Sequence, residues 1–196
     1  MAHPLLAPEL DVTRWFNSPP LDLASLRGKV VLIEAFQMLC PACVSHSIPQ
    51  AQRVQRMYHS DQVAVLGIHT VFEHHEVMGP DALEAFISEY RITFPVGVDR
   101  REGSERIPVT MGRLDLQGTP SQILLDRQGR IRASTFGVVE DLALGTQIGR
   151  LLAEPVTPVQ AESAPGQRPG KPTAPLVTLD PTADPAGVCE PGQACT

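Results

Sequence analysis

The stretch Val30–Ser45, which reads VVLIEAFQMLCPACVS, decides the fold of this chain. It opens on an apolar run interrupted only by Glu34, a pattern that is typical of a strand buried on both faces of a parallel sheet. The chain then breaks at Cys40-Pro41-Ala42-Cys43, and helical character follows. Pro41 suits the first position of a helix, where a missing N–H is harmless. The sequence therefore predicts a cysteine pair where a central strand passes into a helix.

Composition limits the classes of function. With 196 residues, 42% of them hydrophobic, the chain can form one domain with a proper core. Its net charge of -6 disfavours nucleic acid and anionic membranes as partners. No apolar window approaches the roughly eighteen residues of a membrane span, and residues 1–15 lack the features of a secretory signal. We therefore expect a cytoplasmic protein, in which a C-x-x-C motif is catalytic or metal-binding rather than structural.

Strand and helix patterns alternate after the opening stretch. Strands are predicted at 62–69 and 94–98, helices at 45–58, 81–90 and 141–152, a helical turn near 109–114, and a hairpin over 122–137. In the first helix the apolar face is predicted to comprise Ile48, Ala51, Val54 and Met57, with a kink at Pro49. This order predicts an α/β protein, a three-layer α/β/α sandwich around a mixed sheet with an antiparallel C-terminal hairpin.

Three regions follow from the distribution of prolines. Residues 1–20 are predicted to be an irregular lead-in, because Pro19-Pro20 disfavours regular structure. Residues 21–153 form the predicted domain. Residues 154–196 form a Pro-rich tail without aromatic residues, which cannot bury enough apolar surface to offset its ordering entropy and is expected to be disordered. The tail ends in a C-x5-C pair, Cys189 and Cys195.

Several of these pieces together resemble a known family. They are Leu21–Lys29 before the first strong strand, Cys40–Cys43, the inserted strand and helix at 62–90, Phe94-Pro95-Val96, and Gly118-Thr119-Pro120 before the hairpin. The chain resembles the thioredoxin-like superfamily, in its TlpA-like and redoxin (AhpC/TSA-related) branch, over roughly residues 20–152. Leu39 stands where this family usually has Trp, and -Pro-Ala- replaces the -Gly-Pro- of thioredoxin.

The two cysteines of the motif are predicted to act in sequence. At a helix N-terminus, unpaired N–H groups and the helix dipole favour the thiolate of Cys40, and such cysteines have pKa values lowered from about 8.5 to roughly 3.5–7.5. Cys43 lies on the same face within reach of a disulfide, and its sulfur is expected to be the more buried. Cys40 is then the attacking thiol and Cys43 the resolving thiol. Half of a zinc site is the alternative, but a closed site needs four ligands and the sequence has no second C-x-x-C.

Glu34 is the third predicted catalytic residue. A carboxylate in an otherwise apolar strand is expected to have a raised pKa. The resemblance implies that Glu34 occupies the position of the buried aspartate of thioredoxin, from which it can accept the proton of Cys43. The alternative is an exposed position at a sheet margin, where the acid only aids solubility.

The predicted substrate-binding residues are Thr119, Pro120 and Pro41. The resemblance implies that Pro120 is a cis-proline facing the dithiol and that the backbone of Thr119 pairs with a substrate chain. Without the resemblance, Thr119-Pro120 indicates an ordinary turn.

Other candidate residues are less specific. His69, His74 and His75 could form a metal or proton-shuttle site, although histidines in a charged loop are mostly solvated. His46 could tune the titration of Cys43, but an exposed helix face is the favoured interpretation. The pair Cys189 and Cys195 could exchange electrons with Cys40–Cys43, or the tail could be inert or metal-scavenging. We predict no metal and no cofactor at the site.

These patterns predict an enzyme, a thiol–disulfide oxidoreductase. Its partners would be a disulfide-bearing protein or small-molecule disulfide and an upstream dithiol reductant, with no nucleic acid and no membrane. The alternative is a thiol peroxidase, an antioxidant enzyme. In that family the reactive cysteine usually has Pro seven residues before it and Thr three residues before it. The corresponding positions hold Ile33 and Gln37 before Cys40, and Phe36 and Cys40 before Cys43, so the motif is not matched. A third possibility is a zinc-binding or partner-docking module.

Overall fold

The computed structural model describes residues 5–155. The strands are β1 (Val12–Phe16), β2 (Val30–Phe36), β3 (Val63–His69), β4 (Val96–Asp99), β5 (Ser121–Leu125) and β6 (Ile131–Phe136). The helices are α1 (Ile48–Met57), α2 (Pro80–Glu89), α3 (Val109–Arg113) and α4 (Asp141–Ala153). A 3₁₀ turn, Ala24–Leu26, precedes β2, and a π-helical segment, Cys43–Ser47, precedes α1.

One mixed sheet holds all six strands, in the order β1-β4-β3-β2-β5-β6. β2 lies inside it, parallel to β3 on one side and antiparallel to β5 on the other. β5 and β6 form the predicted antiparallel hairpin. Every residue of β2 is buried, because hydrophobic clusters cover both faces of the sheet. The predicted thioredoxin-like α/β sandwich is confirmed.

The predicted irregular lead-in is wrong for residues 12–16. These residues form β1, an edge strand antiparallel to β4 in which Phe16 lies opposite Val96. Asn17 then adopts φ 61° and donates side-chain hydrogen bonds to the carbonyls of Ile92 and Phe94. The prolines come after this turn. They therefore follow the strand and do not disrupt it.

The helix after the dithiol differs from the prediction at one apolar position. Ile48, Ala51 and Val54 are buried as expected, but Met57 is 76% exposed. A helix turns by about 100° per residue, so three successive steps of three residues carry Met57 to the opposite face from Ile48.

The predicted kink at Pro49 is replaced by a wider turn just before it. In the π-helical segment the N–H of Ile48 donates to the carbonyl of Cys43, five residues earlier. Pro49 therefore falls in the first turn of α1, where its missing N–H is tolerated. Such segments are frequent at functional sites.

Two further expectations from the sequence concern a membrane-spanning helix and the C-terminal tail. Among residues 5–155, no helix is long and apolar enough to span a bilayer. The possible relay through Cys189 and Cys195, its alternative of an inert or metal-scavenging tail, and the expected disorder of residues 156–196 lie outside the described residues.

Candidate active site

The dithiol lies directly beyond the end of β2. The N–H of Cys40 donates to the carbonyl of Gln37 at 3.2 Å, which closes the turn between strand and helix. The sulfurs of Cys40 and Cys43 are 2.6 Å apart, and the cysteines are in the thiol form. Both residues are inaccessible to solvent, and Cys43 lies deeper than Cys40, as the sequence predicts.

The two thiols have opposite pKa shifts. The pKa of Cys40 is lowered to about 7, mainly by the hydrogen bond that the Cys43 thiol donates to it, and burial opposes this shift. The N–H of Cys43, 3.3 Å from the Cys40 sulfur, lowers the pKa further. Burial raises the pKa of Cys43 well above its ordinary value, and the neighbouring Cys40 adds to the effect. One sulfur is therefore partly ionised near neutral pH while the other keeps its proton.

Glu34 is a fully buried acid in the middle of β2. Neither of its carboxyl oxygens has a hydrogen-bond partner of normal geometry in the described structure. Burial raises the pKa of Glu34 from 4.5 to about 8, and the neighbouring side chains of Ser47 and Gln122 offset this only in part. The alternative of an exposed sheet margin is wrong. A carboxyl group with this pKa can hold or release a proton close to neutral pH.

On the β3 side, the neighbour of Glu34 in the ladder is Gly67. A β-carbon at this glycine would lie only 3.0 Å from the ring of Phe94, 3.1 Å from that of Phe36 and 3.2 Å from Val96. These apolar groups therefore occupy the space that a side chain would need. This flank of the acid is dry and closely packed.

The Thr119-Pro120 peptide bond is cis, as the resemblance implies. Thr119 is buried, and its carbonyl oxygen lies 3.5 Å from the sulfur of Cys40. The side chain of Gln37 donates to Thr119 Oγ1 at 3.5 Å and accepts the N–H of Phe72 at 3.4 Å. Gln37 thus connects the end of β2 to the cis-proline turn and to the loop after β3.

Comparison with known proteins identifies the family. A family profile described as Redoxin matches residues 17–144. The chain belongs to the redoxin family. The resemblance predicted from the sequence motifs is thereby confirmed.

Solved structures and a curated relative are similar to this redoxin. A thioredoxin-like superfamily protein shares 56% identity over 78% of this chain and 99% of its own, at a TM-score of 0.75. A thiol-disulfide isomerase from Corynebacterium glutamicum shares 54% identity over 76% of this chain and 98% of its own, at a TM-score of 0.74. Protein DipZ of Mycobacterium bovis is 31% identical over 151 residues, which are 74% of this chain but only 20% of DipZ.

The three candidate histidines lie in different environments in the redoxin structure. His69 is buried at the end of β3 beside the ring of Phe36, and burial lowers its pKa to about 3, so the imidazole is neutral. His74 is exposed in the following loop, and burial lowers the pKa of the half-buried His75. Among residues 5–155, no three His, Cys, Asp or Glu side chains are grouped as a metal site.

Three buried glutamines near the site were missed by sequence reasoning. They are Gln37, Gln50 and Gln122. Gln122 interrupts a buried strand as Glu34 does, and this was the signal that could have found it. Its location opposite Glu34 depends on the β2–β5 register, which the sequence alone does not supply.

Proposed function

We propose that this redoxin is a thiol–disulfide oxidoreductase in which Cys40 attacks and Cys43 resolves. The observation that carries the proposal is the pair of sulfurs 2.6 Å apart with oppositely shifted pKa values. The similar protein from Corynebacterium glutamicum, described as a thiol-disulfide isomerase, supports the same class of reaction.

The reaction begins with the thiolate of Cys40. It attacks one sulfur of a substrate disulfide, the substrate S–S bond breaks, and one half leaves as a thiolate, so that Cys40 is joined to the other half. The substrate chain is held by the backbone of Thr119, together with Pro120 and Pro41. Because Cys40 is fully buried, a substrate has to displace neighbouring side chains to reach it.

The second step needs a proton acceptor because Cys43 is protonated. Cys43 transfers its proton to the carboxylate of Glu34 and attacks the sulfur of Cys40. The bond between Cys40 and the substrate breaks, and the second substrate thiolate leaves. The substrate gains two electrons, the Cys40–Cys43 pair loses two as a disulfide, and an upstream dithiol reductant restores the pair.

Other sequence-based hypotheses stay predictions. These are the thiol peroxidase, the zinc-binding or partner-docking module, the relay through Cys189 and Cys195, and the cytoplasmic location. This chain spans only 20% of the curated relative DipZ, so the activity of DipZ as a whole is not carried over to it.

The decisive experiment is capture of the mixed disulfide. Cys43→Ser should accumulate a covalent complex with a disulfide-bearing substrate, and Cys40→Ser, the matched control, should accumulate none. The wild-type protein should reduce insulin disulfides faster than it consumes hydrogen peroxide. Faster peroxide consumption would favour the peroxidase, and stoichiometric zinc without dithiol activity would favour the binding module. If Cys43→Ser captures nothing, the oxidoreductase proposal is wrong.

A further inference from the structure

Buried amide groups connect Glu34 to the protein surface. Gln122 Nε2 donates to Gln50 Oε1 at 2.5 Å. Gln50 Nε2 in turn donates to Asp141 Oδ1 and to the carbonyl of Val139, at 2.7 Å in both cases. Arg53 donates to both carboxylate oxygens of Asp141, at 3.1 and 3.0 Å. The result is a continuous series of hydrogen bonds from the neighbour of the acid to a surface ion pair.

Gln122 is placed to interact with Glu34 in both protonation states. The two residues lie directly opposite in the β2–β5 ladder, where side chains on one face are in contact range. An amide nitrogen carries two hydrogens, and the bond to Gln50 uses one of them, which leaves one for a carboxylate. Gln122 Oε1 is fully buried without a partner in the described structure and can accept a hydrogen bond from a protonated acid.

Gln50 determines which way this amide faces. Its carbonyl accepts from Gln122, and its own amide group is held by two acceptors at the start of α4. A rotation of Gln122 that exchanged its nitrogen and oxygen would place two carbonyl oxygens against each other. Gln50 therefore holds the donating edge of Gln122 in one orientation.

We propose that Gln122 and Gln50 are positioning residues for Glu34, with Gln122 hydrogen-bonding the acid in either protonation state and Gln50 fixing the orientation of Gln122. This proposal rests on the proposed role of Glu34 as proton acceptor. Gln122 lowers the pKa of Glu34 against the larger effect of burial, which agrees with a donor to the carboxylate.

Other titratable groups surround this pair. Cys40 and Cys43 face Glu34 from the dithiol side, and the charge of Cys40 raises the pKa of the acid. At the surface end, a cleft of about 180 Å³ is lined by residues of α1 and α4 and of the segments just before them. These include His46, Arg53, Glu140 and Asp141. Because these groups also titrate, the effect of each substitution must be measured on the titration of the Glu34 carboxyl group itself.

The test replaces each glutamine by methionine, which has a similar shape but no amide. Carboxyl-carbon NMR follows the titration of Glu34 in the full chain. Gln122→Met should move the midpoint upward by about one pH unit, and Gln50→Met should move it in the same direction by less. The ionised fraction of Glu34 at pH 7 then falls roughly tenfold in Gln122→Met, and the resolving step slows roughly tenfold.

An aromatic disulfide reagent that releases a coloured thiolate reports the resolving step as a second phase. The rate difference between Gln122→Met and wild type should shrink above the Glu34 midpoint and vanish in a Glu34→Gln background. Gln52→Met is the matched control, because Gln52 lies on the same helix as Gln50 and donates instead to the carbonyls of Tyr90 and Arg91. It should leave the Glu34 midpoint unchanged.

The positioning proposal is overturned if both variants titrate Glu34 at the wild-type midpoint, or if Gln52→Met shifts it equally. Failure of the proposed function gives a different result. In that case Glu34→Gln alone leaves the second phase unchanged, while the NMR midpoints still report on the glutamine pair.

Discussion

Two buried acids in this redoxin differ in their hydrogen-bond partners. Asp99, at the end of β4, accepts the N–H of Thr110 at 2.7 Å and the N–H of Met111 at 2.9 Å, in the first turn of α3. Glu34, in the middle of β2, has no such partner for either oxygen. Both are almost inaccessible to solvent, so burial alone does not distinguish them.

The difference lies in what opposes the loss of water. Burial raises the pKa of both acids, but for Asp99 the backbone hydrogen bonds act against this effect. The carboxyl group of Asp99 is thereby used to hold the start of a helix. That of Glu34 is left poorly compensated, and its proton becomes exchangeable near neutral pH. A buried acid without backbone N–H partners beside a reactive dithiol indicates chemistry, whereas one bound to backbone N–H groups indicates structure.

The largest expected effect is on the rate of the resolving step, which should depend on Glu34 but not on Asp99. Glu34→Gln should slow the resolving step by roughly 10²–10⁴-fold, because a positioned proton acceptor contributes about that much. Asp99→Asn, the matched control at the other acid, should leave this rate unchanged. The second phase of thiolate release measures both. Equal rates in Glu34→Gln and wild type would remove the distinction between the two acids.

The buried acid Glu34 should also make the free energy of unfolding depend on pH. Because the folded-state pKa of Glu34 is about 8 against an ordinary 4.5, the folded chain holds a proton that the unfolded chain releases between these values. The stabilisation from this proton is complete below the unfolded pKa and is lost as pH rises through about 8. Relative to Glu34→Gln, the free energy of unfolding of wild type should fall by up to about 5 kcal/mol across that window. Denaturant unfolding at a series of pH values measures the difference, and parallel curves would contradict it.

Asp99→Ala should lower the free energy of unfolding by roughly 2–4 kcal/mol, because two buried N–H groups lose their acceptor. Asp99→Asn keeps one acceptor oxygen and should lose less. Urea unfolding of both variants at one pH measures the effect. A loss no larger in the alanine variant than in the asparagine variant would show that the hydrogen bonds to Thr110 and Met111 contribute little.

The smallest effect extends the comparison to the sulfurs. The thiol of Cys43 is the main cause of the lowered pKa of Cys40. Cys43→Ala should therefore raise the pKa of Cys40 by about one unit, while Cys43→Ser, which keeps a donor, should raise it less. The pH dependence of thiol alkylation measures the midpoint. A Cys40 midpoint in Cys43→Ala equal to that of wild type would assign the lowered pKa to the backbone alone.

The sequence predicts best where one residue contradicts its surroundings. Glu34 interrupts an apolar strand, so its burial and central position follow from local pattern alone. Met57 shows the limit of spacing arguments, because small angular errors add up along a helix. Gln50 and Gln122 are far apart in the chain and meet only through the register of β5 and the packing of two helices. Sequence reasoning did not predict the edge strand β1, because it extended the effect of Pro19-Pro20 back to residues 12–16, which precede these prolines.

Close packing of Phe36, Phe94 and Val96 around Gly67 prevents substitution on the β3 side of Glu34. Only the β5 side, where Gln122 lies, can be varied without disturbing the core. Any larger residue at Gly67 would have to displace aromatic rings, so redesign of the acid from β3 disturbs the core first. Substitution of Gln122 on β5 changes a polar contact instead, the hydrogen bond to Gln50. An engineer who wants to adjust how readily this protein exchanges disulfides should begin with Gln122 and leave the glycine alone.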